Sequence, residues 1–324
     1  MSKKIGILWG GGLGDLLVIR PFLQALQADS SVQSYLLTNA THMSELLEEF
    51  CSPTRIIQLP LHYSRLLSVI KKWYRYFDLI YLGPYPTFKT RLLGYILSPK
   101  KLWSVHHKNC PSYILDQVFA DITALGLSAQ TDYKNLTTFL PWKTDSQYNP
   151  FSGKPPFMVI HPGAKLKWVT TRWPVEKWKA LILKLLNETR FSLCMVGVKN
   201  EEGQLNDLTS FLPEKLKPRI KLCVGKPLQN ITGIILGSNG VICHNSGILH
   251  LSTFLHKKTV CITGSSGVYW QPQYPWVKNI TSGQCSYFCN CYNCPVPFFR
   301  SKCIGGIETN DVWNTVVNHF NSDM

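Results

Sequence analysis

The chain has 324 residues, of which 45% are hydrophobic and 16% charged, and its formal net charge is +15. This composition excludes an intrinsically disordered chain, and the length is typical of two domains. The positive charge favours an anionic partner, which leaves nucleic acid, a membrane surface and a phosphorylated substrate as alternatives.

The first residues of the chain bear on its compartment. Residues 1–8 are only mildly apolar and glycines follow from Gly10, which is not the pattern of a secretory signal peptide. We find no run of about 18 uncharged apolar residues, the length that a transmembrane helix requires. We therefore expect a cytoplasmic protein with reduced cysteines.

Short apolar strands alternate with helical segments in the first half of the chain. The sequence predicts strands at 4–9, 32–37, 56–59 and 77–82, and helices at 15–27, 43–50 and 63–76. Pro21 lies inside the first of these helices and predicts a kink or an end there. The alternation predicts a parallel sheet covered by helices on both faces.

The alternation restarts after a segment rich in Pro, Ser and Gly at 141–156, which we interpret as a linker. The sequence then predicts strands at 157–160, 191–196, 240–243 and 259–263, and helices at 174–186 and 309–321. We therefore predict two successive α/β domains at 1–150 and 151–305, followed by a C-terminal helical segment at 306–324. Domains of this class bind ligands at the carboxyl ends of their strands, and we expect the crevice between the two domains to hold the site.

A glycine-rich turn at 10–14 joins the first predicted strand to the first helix. Glycines such as Gly12 and Gly14 let the backbone approach a ligand closely. The turn does not match G-x-G-x-x-G, and Asp15 would place a carboxylate where a dinucleotide has its diphosphate, which argues against nicotinamide binding. Asp15 can instead cap the helix, or it can accept a proton from an attacking hydroxyl, and the position alone leaves both roles open.

Several motifs occur in an order that resembles one enzyme family. They are Gly-Leu-Gly-Asp at 12–15 with Pro21, Tyr-Phe-Asp-Leu-Ile-Tyr-Leu at 76–82, His-Pro-Gly-Ala at 161–164, Arg-Trp-Pro at 172–174 with Trp178, Asn-Ser-Gly-Ile-Leu-His-Leu at 245–251, and Thr-Gly-Ser-Ser at 263–266. In this order they resemble the lipopolysaccharide heptosyltransferases of glycosyltransferase family nine. The resemblance runs from about residue 5 to residue 305.

This resemblance implies a GT-B fold, in which two Rossmann-like doubly wound domains face a cleft. The implied reaction moves a heptose from ADP-heptose onto the lipopolysaccharide inner core with inversion. The first domain receives the acceptor, and Asp15 is the implied general base, which takes the proton of the acceptor hydroxyl while ADP leaves. The second domain binds the nucleotide sugar, and the final helix at 306–324 packs back on the first domain.

The turn at 245–251 is the implied site of the donor diphosphate and sugar. Ser246 precedes a predicted helix whose free N–H groups suit a leaving diphosphate. The resemblance assigns Asn245, Ser246, Gly247 and His250 to the donor. The family usually has Asp where Asn245 stands, which leaves the sugar or its affinity open. The alternatives are a plain helix cap at Ser246 and a packed side chain at His250.

Charged residues of the second domain extend this implied donor site. Arg172 carries a guanidinium that can clamp phosphate oxygens. The family often has a lysine just before this arginine; here Lys165 or Lys167 could supply that charge. The resemblance implies that Glu201, or its neighbour Glu202, binds the ribose hydroxyls. Each of these residues could instead be a solvated surface charge.

Cations mix with aromatic residues in two stretches of the first domain. They are Lys-Lys-Trp-Tyr-Arg-Tyr at 71–76, followed by Lys89, Arg91, Lys100, Lys101, Trp103, His106, His107 and Lys108. Such a mixture suits a phosphorylated glycolipid or the anionic inner face of the cytoplasmic membrane, and it would equally suit a nucleic acid. Because no segment resembles a nucleic-acid-binding motif, we favour a membrane-bound acceptor and no nucleic acid. A solvated basic face is the alternative.

Five cysteines fall within nineteen residues near the end of the chain: Cys285, Cys289, Cys291, Cys294 and Cys303. Four thiolates can hold zinc or iron, but only Cys291 and Cys294 have the C-x-x-C spacing, so a two-pair zinc ribbon does not fit. We favour structural or free thiols over a structural metal. The resemblance also implies that the transfer itself requires no metal or other cofactor.

Two alternatives to heptosyl transfer remain open. The first is a family-nine enzyme with another nucleotide-sugar donor or a protein acceptor, which Asn245 and the extra cysteines favour. The second is a non-catalytic basic binding protein on the same scaffold, which predicts that nucleotide binding is absent.

Overall fold

The computed structural model describes residues 2–320 except 11, 40–46, 48–54, 60–62, 84–87, 99, 105–111, 128–132, 144–146, 164–171, 265–267 and 283–302. The chain divides into two compact units, Met1–Pro141 and Trp142–Met324. Each unit is built on a sheet whose described strands pair in parallel. The predicted α/β class with two parallel sheets is therefore confirmed.

A five-stranded sheet forms the centre of the first unit. Its strands are β1 (Lys3–Leu8), β2 (Val32–Thr38), β3 (Ile56–Gln58), β4 (Leu79–Leu82) and β5 (Leu102–Ser104). They lie in the order β3-β2-β1-β4-β5. The strand order therefore reverses between β1 and β4, and the carboxyl ends of these two strands flank the crevice in which open α/β sheets bind ligands.

Helices cover both faces of this first sheet. They are α1 (Leu13–Ala28), α2 (Tyr63–Trp73), α3 (Phe88–Leu97) and α4 (Ile114–Ala124). On one face Tyr81 of β4 stacks on Phe22 of α1, with ring centroids 4.2 Å apart, and its hydroxyl donates to Asp121 of α4 at 2.7 Å. The neighbouring residues Ile80 and Leu82 belong to the core cluster on the opposite face, which α2 and α3 cover, because side chains alternate along a strand.

The first unit has the expected helix at its start and three elements that were not expected. The helix predicted at 15–27 is present as α1, and it does not end at Pro21; buried apolar residues such as Leu17 and Leu26 lie on both sides of the proline. The elements α3, α4 and β5 were not predicted. Strand β5 has only three residues, and α3 carries apolar residues on its outward face as well as its inward face, which conceals the helical period.

A six-stranded sheet forms the centre of the second unit. Its strands are β6 (Phe157–His161), β7 (Ser192–Gly197), β8 (Ile220–Val224), β9 (Gly240–His244), β10 (Thr259–Ile262) and β11 (Val277–Ile280), in the order β11-β10-β9-β6-β7-β8. Its helices are α5 (Val175–Glu188), α6 (Glu202–Ser210), α7 (Leu228–Gly237), α8 (Gly247–Phe254) and α9 (Thr309–Phe320). The strand order reverses between β6 and β9. None of the helices that the structure describes is long and apolar enough to cross a membrane.

The division between the units falls at Pro141, before the predicted boundary at residue 150. The segment that follows packs on α7 of the second unit: Trp142 Nε1 donates to Thr232 Oγ1 at 3.0 Å, and the Tyr148 amide donates to the Gly233 carbonyl at 2.9 Å. The start of the segment that we interpreted as a linker is therefore part of the second unit.

The C-terminal helix α9 also packs within the second unit, against α5, β10 and β11. Its buried residues Val312, Val316 and Phe320 lie in the core of that unit. The Phe320 ring approaches β9 so closely that a Cβ at Gly240 would lie 2.2 Å from it. The apolar face that we expected to pack back on the first domain is thus buried in the second unit instead.

Candidate active site

The turn between β1 and α1 holds the Asp15 side chain against the backbone. Asp15 Oδ2 accepts the Gly12 N–H at 2.7 Å, and the Asp15 carbonyl accepts Trp9 Nε1–H at 2.8 Å. The carboxylate lies in the first turn of the helix, where the helix dipole stabilises negative charge. The capping role is therefore present in the structure. It is compatible with a role as base, because an ionised carboxylate has several acceptor sites.

The glycines of this turn make room for the carboxylate. A Cβ at Gly12 would lie 2.9 Å from Asp15 Oδ2, and a Cβ at Gly10 would lie 3.3 Å from the carboxyl carbon. Gly14 is buried in the first turn of α1. The glycines at 10 and 12 are thus explained by the position of Asp15, without a bound phosphate.

In the second unit, His161 lies between side chains that follow two other strands. Its Nδ1 is 3.1 Å from Ser246 Oγ, and its Nε2 is 3.6 Å from Glu201 Oε2. His161 ends β6, while Glu201 follows β7 and Ser246 follows β9, and β6 lies between the other two strands. The cluster therefore forms at the point where the strand order reverses, the position at which α/β sheets bind ligands.

Glu201 is held in this cluster by the backbone as well. Its Oε2 accepts the Val198 N–H at 2.9 Å, and a Cβ at Gly163 would lie 2.1 Å from its Oε1. Burial alone would raise the pKa of Glu201, but His161, the Val198 N–H and the charge of Arg172 together lower it below its usual value. The carboxylate is therefore ionised at neutral pH.

Helix α8 begins beside this cluster. In the described part of the chain, the Ser246 hydroxyl caps none of the helix N–H groups and contacts His161 instead. A helix N-terminus without a side-chain cap presents its first N–H groups and its positive dipole end to an anion. Ser246 and Gly247 thus lie at the start of a helix, as the sequence predicts, and anion binding by this turn stays a prediction.

Asn245 anchors the segment that follows β10. Its Nδ2 donates to the Trp270 carbonyl at 3.0 Å. A carboxylate has no proton to donate here, which gives a structural reason for Asn where the family usually has Asp.

His250 is buried inside α8, below the same turn. Its ring packs edge-on against the Trp270 ring with centroids 5.7 Å apart. Burial lowers the pKa of His250 to about 3, so the imidazole is neutral. These contacts match the packed alternative for His250, and direct binding of the donor by this side chain stays a prediction.

His244, the last residue of β9, was missed as a functional candidate. Its Nε2 accepts the Trp173 N–H at 3.0 Å and Trp178 Nε1–H at 3.2 Å. Burial is the main cause that lowers the pKa of His244 to about 3, so Nε2 remains an acceptor at neutral pH. His244 thereby ties the segment that carries Arg172 to the end of β9. The charge of Arg172 contributes to the lowered pKa values of both His244 and Glu201, which places the guanidinium near the cluster.

The comparisons with known proteins identify the family and the fold of this chain. The model of glycosyltransferase family 9 (heptosyltransferase) matches residues 97–294. The chain belongs to glycosyltransferase family 9. No curated protein matches the chain in a sequence search.

Solved structures show that this glycosyltransferase shares the GT-B fold of its family. Escherichia coli ADP-heptose lipopolysaccharide heptosyltransferase II is 17% identical, with a TM-score of 0.64 and 99% of each chain covered. A family 9 glycosyltransferase from Veillonella parvula is 13% identical, with a TM-score of 0.64 over 100% of this chain and 99% of that one. Escherichia coli heptosyltransferase WaaC with ADP is 13% identical, with a TM-score of 0.57 over 98% and 99%.

Several predicted site residues of the glycosyltransferase lie outside the described residues. They are Lys165, Lys167, Cys285, Cys289, Cys291 and Cys294. Cys303 is described and buried. Among the described residues, no three His, Cys, Asp or Glu side chains gather in a group that could hold a metal ion.

Two rings of the predicted basic aromatic stretches pack inside the first unit. Trp103 Nε1 donates to Asp121 Oδ1 at 2.9 Å. Trp73 stacks on Phe77, with ring centroids 5.9 Å apart. These contacts show that the two rings pack within the first unit, and a ligand role of the two stretches stays a prediction. His106, His107 and Lys108 lie outside the described residues.

Proposed function

We propose that this glycosyltransferase moves a heptose from ADP-heptose onto the lipopolysaccharide inner core with inversion. The observation that carries the proposal is the cluster around His161, where Glu201 and Ser246 meet at the amino end of α8. Such a cluster suits a nucleotide, because the helix N–H groups can bind the diphosphate while the carboxylate can accept hydrogen bonds from the ribose hydroxyls. The choice of heptose rests on the family and on relatives named as heptosyltransferases, one of them solved with ADP.

In this proposal the second unit holds the nucleotide. The first N–H groups of α8 and the Arg172 guanidinium stabilise the negative charge that grows on the departing diphosphate. Glu201 is ionised and accepts hydrogen bonds from the ribose hydroxyls. We propose that the transfer needs no metal cofactor, since the helix N-terminus and Arg172 supply the positive charge.

The first unit supplies the base. Asp15 takes the proton of the acceptor hydroxyl while that oxygen forms a bond to the anomeric carbon. The bond from the anomeric carbon to the diphosphate breaks, ADP leaves, and the configuration inverts. The acceptor is a phosphorylated glycolipid at the inner face of the cytoplasmic membrane, in agreement with the net charge of +15.

A family-nine enzyme with another donor or a protein acceptor is the second candidate. In the sequence, this candidate is favoured by Asn245, which stands where the family usually has Asp. The hydrogen bond from Asn245 to the Trp270 carbonyl supplies a reason for the amide within the fold, which weakens the argument from this residue for a different sugar.

The test is release of ADP from ADP-heptose, with and without heptose-deficient lipopolysaccharide core, for the protein and its Asp15→Asn variant. Asn at position 15 still accepts the Gly12 N–H, so the variant keeps the cap and loses the base. We expect acceptor-dependent release, and we expect the variant to lower turnover by about 10²- to 10⁴-fold. ADP affinity, measured by calorimetry, should be unchanged.

Each other outcome corrects a different part of the proposal. Unchanged turnover in Asp15→Asn would show that another group is the base. ADP binding without turnover would show that the sugar or the acceptor is different, and turnover with another nucleotide sugar would establish the second candidate. A protein that does not bind ADP would contradict the donor site itself.

A further inference from the structure

The outward face of α2 and α3 exposes an unusual amount of apolar surface. Five of the eight large hydrophobic side chains that are exposed in the described residues lie on these helices or directly after α2: Leu67, Tyr74, Phe88, Leu92 and Tyr95. Phe88 is 80% exposed and Leu67 is 68% exposed. Single exposed apolar residues are common on protein surfaces, but a group of this kind marks an interaction site.

The spacing of these residues places them in rows. Phe88, Leu92 and Tyr95 follow one another at intervals of four and three residues, so they lie on one side of α3. Leu67 lies on α2, and Tyr74 is exposed directly after the end of that helix. The two helices contact each other, so the rows are neighbours.

These rows are not needed for the core of the first unit. The inward residues Val69 and Trp73 of α2, and Leu93 and Leu97 of α3, already pack on the sheet. A helix that only covers a sheet has polar residues on its other side. Helix α3 departs from this pattern, which indicates a second contact for its outward side.

Cations surround the apolar rows. Lys71, Lys72, Arg75, Lys89 and Arg91 are exposed on the same two helices or next to them. Between residues 63 and 98 the sequence has one acidic residue, Asp78. Asp78 already pairs with Lys100 at 2.6 Å and accepts the Lys4 N–H at 2.9 Å. The face is therefore both apolar and strongly positive.

We propose that this α2–α3 face, defined by the five apolar side chains and the five cations above, docks on an anionic phospholipid bilayer. The apolar side chains enter the headgroup region, and the cations contact the lipid phosphates. A second copy of the chain fits poorly, because two such faces would bring like charges together. The inference deepens the proposed function, since it rests on a glycolipid acceptor that lies in such a surface, but it does not depend on the donor.

The test is sedimentation of the full chain with vesicles, without donor or acceptor. One set of vesicles is phosphatidylcholine alone, and the other also contains phosphatidylglycerol. We expect binding only to the anionic vesicles. The triple variant Lys71→Gln, Lys72→Gln, Lys89→Gln should weaken binding by about fivefold for each cation removed. The triple variant Phe88→Ser, Leu92→Ser, Tyr95→Ser should weaken it by at least tenfold.

Matched controls lie on the second unit. Lys154→Gln, Lys215→Gln, Lys226→Gln removes the same charge from exposed positions, and Tyr148→Ser removes an exposed ring. Both controls should bind anionic vesicles like the unchanged protein. ADP affinity, measured on every variant, checks that each is folded and tests the donor site separately.

Several results would overturn the inference. One is a protein that fails to sediment with anionic vesicles while it still binds ADP. Another is a control variant that weakens binding as much as its α2–α3 counterpart, which would reduce the effect to net charge or general hydrophobicity. A third is a ring variant that keeps full vesicle binding and instead converts a dimer to a monomer in light scattering, which would assign the face to a second copy.

Discussion

The Asp15 turn of the first unit and the His161 cluster of the second both lie beside the point where a parallel sheet reverses its strand order, yet they are built differently. In the first, Asp15 and its partner Gly12 are three residues apart in one turn. In the second, His161, Glu201 and Ser246 come from three different strand ends. One site is local in the sequence, and the other exists only once the sheet has formed.

This difference predicts how each site responds to substitution. A change in the local turn should displace the carboxylate and abolish its chemistry, while donor binding in the other unit stays intact. A change in the distributed cluster should remove one of several contacts, so losses of donor affinity or stability should be partial. The following experiments test this contrast in order of expected effect.

The largest effect is expected for Gly12→Ala. The new Cβ would lie 2.9 Å from Asp15 Oδ2, so the carboxylate has to move. Because misplacement of a reacting group by about 1 Å costs roughly a hundredfold in rate, turnover should fall by that factor. ADP affinity should stay the same. Steady-state kinetics and calorimetry measure the two quantities.

Gly203→Ala is the matched control for this substitution, because its Cβ would meet no atom within 4 Å. It should leave both turnover and ADP affinity unchanged. If Gly12→Ala weakens ADP binding as much as turnover, the two sites are not separable in the way that their construction suggests.

The next effect concerns the centre of the cluster, His161→Ala. The substitution removes the contacts to Ser246 and Glu201 together. A hydrogen bond to a charged group contributes about 1.5 to 3 kcal/mol, and the remaining helix N–H groups and Arg172 retain part of the site, so ADP affinity should fall by about tenfold. Turnover at saturating donor should change much less. A loss of turnover without a loss of affinity would contradict a positioning role for His161.

The contrast between the local Asp15 turn and the distributed His161 cluster also explains which site residues could be predicted from the sequence. Asp15 and its glycines were identifiable because the motif contains both partners of the contact. Ser246 and Gly247 were identifiable from the motif at the start of α8. His161 belongs to a motif that we used only for the resemblance, since its role depends on β6 lying between β7 and β9. A buried strand that ends in His was the available signal, and it applied to His244 as well.

The fold was predictable to a similar degree. Alternating apolar strands and helices were sufficient for two parallel α/β units and for the approximate position of most strands. The position of α9 was not predictable, because an amphipathic period shows that one face is buried and does not show which core receives it. Helix α3 was missed for the opposite reason: its outward row of Phe88, Leu92 and Tyr95 removes the contrast between its faces.

A third prediction concerns pH and the second unit. Burial lowers the pKa values of His244 and His250 from 6.5 to about 3. The unfolded chain therefore binds more protons than the folded chain between pH 6.5 and 3, so stability is lost as the pH falls through this window. As the pH falls from 7 to 6, the two histidines together should lower the free energy of unfolding by about 1 kcal/mol.

Urea unfolding monitored by tryptophan fluorescence at several pH values measures this loss. A His250→Gln variant should show a smaller decrease over the same range, whereas Glu201→Gln should not alter it. The pKa of Glu201 is lowered below its ordinary 4.5, so its contribution is present above that pH and is lost only in more acidic solution. If the free energy of unfolding of the unchanged protein does not decrease between pH 7 and 6, the two histidines are not neutral and buried as the structure shows them.

The smallest effect is expected for Asn245→Asp, which restores the residue that the family usually has. The variant sets a carboxylate 3.0 Å from the Trp270 carbonyl in place of the donating amide. The loss of this hydrogen bond should lower the free energy of unfolding by about 1 kcal/mol. The turn should also become less rigid, which should weaken ADP binding by about threefold. Thermal unfolding and calorimetry measure the two changes.

Asn279→Asp separates the two parts of that prediction. Asn279 Nδ2 donates to the Pro272 carbonyl at 2.8 Å in the same unit, so its loss should destabilise the fold by a similar amount and leave ADP affinity unchanged. Tighter ADP binding in Asn245→Asp would mean that Asp at this position contacts the donor directly. The turn after β9 would then resemble the Asp15 turn, with one residue that determines its function, and the contrast between the two sites would not hold.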